Sequence, residues 1–168
     1  MKVGKIIDEI KRSVQSRNRK ALQIALADLD DCQLLESTIE PKIFDVYVWL
    51  LSDESAISAP GVDKIFVNFT GDIQKYSREQ IYKIILAIDA SRISYKSQAL
   101  RMAAADFVAR NGEVGEAFGV LEKWAGASDD ISRQMARAGF DILLAGSRIC
   151  DIETRKKAEM LRDNLMRG

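Results

Sequence analysis

Carboxylates are the residues of this sequence whose type and spacing invite a chemical reading. Asp28-Leu29-Asp30-Asp31 sets three of them within four positions, and a hard divalent cation takes oxygen donors of that kind. A calcium loop also needs acids at alternating positions, a glycine at its sharp turn and a distant glutamate. That pattern is not present, so the three read as solvated acids and no metal is expected. Glu113 and Glu116 stand at helical spacing, as a general acid/base pair would, but among 25 acidic residues such pairs arise by chance. There is no histidine, which removes imidazole acid/base catalysis, Ser-His-Asp and Cys-His nucleophile systems and His-ligated zinc. The two cysteines, Cys32 and Cys150, lack a C-x-x-C neighbour, so neither a thiolate metal cage nor a disulfide framework is implied. Neither glycine-rich phosphate motif occurs. The expectation is no catalytic residue, no cofactor and no enzyme.

Charge distribution points elsewhere. Residues 1–20 hold seven Lys/Arg against two acids, whereas residues 21–60 hold eight acids against one lysine, within a total that balances at 25 of each sign. The acids of that second stretch are Asp28, Asp30, Asp31, Glu36, Glu40, Asp45, Asp53 and Glu54. One reading pairs them internally with the basic first helix. The other makes them an acidic face that meets a basic protein partner, because five excess cations do not neutralise seven excess anions. Tyr47 is the candidate aromatic anchor of that face, while Trp49 fits the core better. Nucleic acid is an unsuited partner, since the chain is not net basic and does not interleave basic with aromatic residues.

The elements that must position these residues are helices. Two prolines and ten glycines are too few for the turns of an all-β fold, and apolar residues recur at helical spacing along the chain. Val3, Ile6, Ile7, Ile10 and Val14 form one stripe; Leu22, Ala25, Leu26 and Leu29 form the next, capped by Asn18. In the polar stretch that follows, Leu34, Leu35 and Ile39 are the apparent anchors. Pro41 opens a helix over 42–52 whose β-branched and aromatic run has a strand as its rival. Residues 53–61 read as a loop, Ser77-Arg78-Glu79-Gln80 as a capping box, and further helices begin near Ser94, at 114–125, after Ser128 or Asp129, and at 151–166. Phe66, Phe69, Ile84, Ile85, Phe107, Leu121 and Trp124 are the expected shared core. The expected fold is all-α: a single domain, 1–168, of about eight to nine short antiparallel helices in stacked hairpins. No stretch is apolar enough to span a membrane and the start lacks a signal-peptide core, so a cytoplasmic protein is expected.

Two likenesses follow. Residues 101–124, with Ala104-Ala105, Gly112, Ala117 and Leu121, fit part of a tetratricopeptide unit, and a shift of 34 places Ala138-Gly139 and Gly146 on the same roles. Small residues are also what any helical hairpin needs where its helices cross. Over residues 50–124 come Leu50-Leu51-Ser52, the loop Ile57-Ser58-Ala59-Pro60-Gly61, Gly71-Asp72-Ile73, and Lys75-Tyr76-Ser77-Arg78-Glu79-Gln80-Ile81. Asp106-Phe107 and Glu116-Ala117 then lead to Leu121. In this order the chain resembles the small all-helical immunity proteins that neutralise bacterial polymorphic and contact-dependent growth inhibition toxins. The resemblance implies a role rather than a reaction: binding a cognate toxin domain, such as a nuclease with a basic cleft, and occluding its active site. The chain departs from strongly acidic immunity proteins in being neutral overall. The alternative is a helical-repeat adaptor or secretion chaperone that takes a partner helix or peptide in a groove.

Overall fold

A computed structural model describes residues 2–168; Met1, the first residue of the sequence, lies outside them. Among the described residues there are ten α-helices, two 3-10 turns and no strand, with 77% of the chain helical. Contacts gather the chain into two compact units, the first ending at Ser94 and the second comprising Tyr95–Gly168. Among the described residues no helix is long and apolar enough to cross a membrane.

In the first unit, α1 (Val3–Gln15) packs on α2 (Arg19–Asp31), and the Asn18 side chain accepts the Ala21 amide at 3.0 Å to start α2. The segment with strand character is α3 (Pro41–Ser52). Pro41 supplies its first-turn geometry, and Ile43, Val46, Tyr47, Leu50 and Leu51 fall on one buried helical face. The expected loop 53–61 contains a short helix, α4 (Glu54–Ile57), because the Asp53 carboxylate accepts the Ala56 amide at 2.9 Å. Gly61 then turns the chain at φ +91°, with its α-carbon against α2: a β-carbon there would lie 3.0 Å from the Arg19 carbonyl oxygen. α5 (Lys64–Asp72) runs into a 3-10 turn (Ile73–Lys75), and α6 (Arg78–Ser91) opens on the expected capping box, with the Ser77 and Gln80 side chains each accepting the other's amide. α6 packs on α3, and the buried Ser91 hydroxyl donates to backbone carbonyls.

The second unit is built around α9 (Asp130–Ala145), which packs on α7 (Gln98–Asn111), α8 (Val114–Ala125) and α10 (Ile152–Arg167). α7 begins after its Ser97 cap, later than the sequence implied, because Arg92–Ser94 is a 3-10 turn. Asp129, rather than Ser128, caps α9. Gly139 faces α8: a β-carbon there would sit 2.3 Å from Leu121 Cδ2, so the Leu121 side chain fills the space beside the glycine. The Arg148 guanidinium donates to the carbonyls of Ala109 and Gly112 at the end of α7, where carbonyls lack helical partners and favour a cation. The seven expected core residues are all buried: Phe66, Phe69, Ile84 and Ile85 lie in the first unit, Phe107, Leu121 and Trp124 in the second.

Candidate functional site

The acidic segment bends around a turn whose inside and outside are the reverse of its polarity. α2 ends at Asp31 and the chain turns through Cys32, Gln33, Leu34 and Leu35. Leu34 is 66% exposed and Leu35 99%, whereas the polar Gln33 is 1% exposed. Leu34 and Leu35 therefore anchor nothing in the core, contrary to their reading as apolar anchors, although Ile39 is buried as expected. Burying a primary amide is costly unless its atoms are paired. The Gln33 Oε1 accepts the Glu40 amide at 2.9 Å, and the Gln33 carbonyl accepts from the Lys75 ammonium. The turn amides are also used: Gln33 N–H donates to the Asp30 carbonyl at 2.9 Å, Leu34 N–H to Asp31 at 3.3 Å and Glu36 N–H to Gln33 at 3.1 Å. The turn is thus held from beneath, with both leucines displayed.

What holds it is a buried polar cluster. Lys75 lies 2.8 Å from Asp72 across one helical turn, and both side chains are nearly enclosed. The Asp72 charge also acts on the half-buried Asp30 carboxyl, whose Oδ1 is buried without a hydrogen-bond partner. Burial, the Asp72 charge and Asp31 all disfavour the Asp30 anion, with Lys64 opposing; the group is pushed up from 3.8 to about 6. Asn68 Nδ2 donates to the Leu26 carbonyl at 2.9 Å and to the Tyr47 hydroxyl at 3.1 Å. Burial raises both Tyr47 and Tyr76 well above the ordinary phenol range, so their hydroxyls stay neutral. Phe69 stands edge-on to Tyr47, at 5.3 Å between ring centroids, and to Tyr76 at 5.8 Å, closing the apolar side.

The expected docking residues separate accordingly. Asp31, Glu36, Asp45 and Glu54 are exposed; Asp28 and Glu40 are half-buried. Asp28 lines a groove of about 400 Å³ between α1 and α2, opposite Lys5 and Arg12, while Arg12 pairs with Glu9 on its own helix at 3.1 Å. Asp45 borders a cleft of about 590 Å³ between α3 and the start of α6, with Lys75 and Lys83 on its rim. One expected member is corrected. Tyr47, 1% exposed, is a core residue and no surface anchor, because its ring fills the space between α2, α3 and α5; Trp49 beside it is half-buried. Asp30 and Asp53 are half-buried, with Asp30 Oδ1 enclosed and Asp53 capping α4. Sequence reasoning missed Gln33, Asn68, Asp72 and Lys75. Asn68 carried a signal, since it stands within the apolar stripe Ile65, Phe66, Phe69 and so points inward.

Chemically the arrangement offers a charged, partly apolar surface over a buried polar cluster. Among the described residues no group of three or more His, Cys, Asp or Glu side chains is placed to hold a metal ion. No family model, no curated protein and no solved structure matches the chain.

Proposed function

We propose that the chain is a non-enzymatic binding protein that neutralises a cognate bacterial toxin domain, in the manner of an immunity protein, by covering a basic active-site cleft such as that of a nuclease. The observation that carries this reading is the displayed Leu34–Leu35 pair between the exposed acids Asp31 and Glu36. Single exposed leucines are ordinary, but two adjacent ones on a turn held by buried hydrogen bonds cost solubility without serving the core. The surrounding acids cost stability as well. α2 has no basic residue in its last turn and instead carries Asp28, Asp30 and Asp31 there, the wrong sign for a helix C-terminus. Apolar contact supplies residence time and the acidic rim speeds encounter with a basic surface.

The test is co-expression with the C-terminal domain of the protein encoded next to the chain's own gene, followed by co-purification and binding kinetics. Asp31→Lys with Glu36→Lys is expected to slow association about tenfold at low salt and to converge on wild type at high salt. Leu34→Ser with Leu35→Ser is expected to speed dissociation with little effect on association. Binding indifferent to both pairs would place the interface elsewhere.

A further inference from the structure

The outward face of α2 is symmetric about one residue. Ile24, 52% exposed, stands near the middle of the helix. Four positions before it is the exposed Lys20 and four after it the half-buried Asp28; three before and three after stand the half-buried Ala21 and Ala27. Offsets of three and four gather all five side chains on one helical face. Size thus repeats on either side of Ile24, while charge changes sign. A helix with that pattern is complementary to a copy of itself running the opposite way. We propose that α2 is a self-association surface, on which two copies of the chain pair antiparallel about a two-fold axis at Ile24, Lys20 of each copy facing Asp28 of the other.

Charge complementarity favours a second copy over any other occupant. α2 begins with Arg19 and Lys20 and has no acid in its first turn, where the helix dipole favours anions. It ends on Asp28, Asp30 and Asp31 with no base in its last turn, where the dipole favours cations. An antiparallel copy brings Asp28 to the basic end and Lys20 to the acidic end, and so corrects both at once. A basic partner would correct only one. Among the described residues neither Lys20 nor Asp28 has an ion pair, although Lys5 and Arg12 stand across the α1–α2 groove; Arg12 is taken by Glu9 at 3.1 Å. The groove, about 400 Å³, is apolar along Ile6, Ala21, Ile24 and Ala25, and the small alanines beside Ile24 let a second helix approach it. Lys20 and Asp28 are about 12 Å apart along the helix, so the apolar contact and both ion pairs form together. One helix from each copy gives a contact below the roughly 1,200 Å² of stable complexes, so the dimer is weak and separates on dilution.

Sedimentation velocity on the full-length protein, from micromolar to millimolar concentration, reads the pairing. Wild type is expected to pass from monomer to dimer at low salt, with association weakening as salt rises. Lys20→Glu or Asp28→Lys acts twice across the axis and is expected to weaken association by about tenfold or more. The first variant carries two acids on the stripe and the second two lysines. An equimolar mixture is therefore expected to regain the dimer that neither forms alone, and the double variant Lys20→Glu/Asp28→Lys to pair as wild type does. Wild type that stays monomeric at every concentration overturns the pairing, and decides this even if a variant fails to fold. A dimer indifferent to both reversals, or single variants that do not complement each other, places the contact elsewhere and overturns it too. If wild type is monomeric and Ile24→Ser weakens binding of the domain encoded next to the gene, the stripe belongs to that partner instead. Neither Lys20 nor Asp28 is altered in the docking variants, so the two readings fail separately.

Discussion

Between pH 3.8 and about 6, the folded chain holds a proton at Asp30 that the unfolded chain releases, because only the folded chain buries the group against Asp72. A group whose pKa is raised by folding adds stability that is complete below its unfolded pKa and is lost as pH rises through its folded one. The wild-type protein should therefore lose stability relative to Asp30→Asn between pH 4 and pH 7, most steeply midway between the unfolded and folded values, near pH 5, in paired urea titrations. A stability difference independent of pH would mean that Asp30 is solvated like an ordinary surface acid. Part of this was legible in the sequence: position 30 follows Leu26 by four residues, which sets it at the edge of the buried stripe of α2. Its partner was not, because Asp72 lies 42 positions away and only the packing of α2 on α5 joins them. Gln33 was invisible for a different reason. Beside two leucines a glutamine reads as the solvent-facing residue, and only hydrogen bonds from Glu40 and Lys75 reverse that order.

Helices were readable wherever a cap and an apolar stripe agreed, as at Asn18 and Ser77; the last helix, read as 151–166, begins at Ile152 because Asp151 is its cap, held below the ordinary carboxylate range by the Thr154 hydroxyl and amide. α4 was not, since four residues carry too little periodicity to register and its Asp53 cap stood among other acids. Gly139 of α9 faces the Leu121 side chain of α8, where an added β-carbon would overlap Cδ2. Gly139→Ala should gain about 1 kcal/mol of helix propensity yet lose about 1–3 kcal/mol to overpacking, a net destabilisation, because Leu121 is fully buried and has no free volume to turn into. In a double-mutant cycle, Leu121→Ala should absorb most of that loss, giving a coupling of about 1 kcal/mol or more by chemical denaturation. Additive changes would show that the Leu121 side chain yields to the added methyl.

Across the whole molecule, charge is segregated inside the first unit rather than between the units: residues up to Ser94 include 13 Lys/Arg and 14 Asp/Glu. The acidic field is thus local, and a partner would feel it only near the turn, within about a Debye length. The second unit has its own core around α9, with Trp124, Phe140 and Met135 fully enclosed. Expressed alone, residues 95–168 should therefore give a helical circular dichroism spectrum and a cooperative thermal transition; a flat melt would show that the unit cannot fold without the rest of the chain. Periodicity and caps told where helices begin and end, but both units present the same signals, so the division at Ser94 was not readable from them. Gly61, at φ +91° and against the Arg19 carbonyl, has a consequence of its own for the sequences this fold admits. Backbone strain and the Arg19 carbonyl oxygen disfavour any side chain there, while Gly4, Gly71, Gly115 and Gly119 face open space. The fold thus ties one letter of its alphabet at position 61 and leaves four other glycines free to drift, so lineages of this chain would diverge through those four and keep the one.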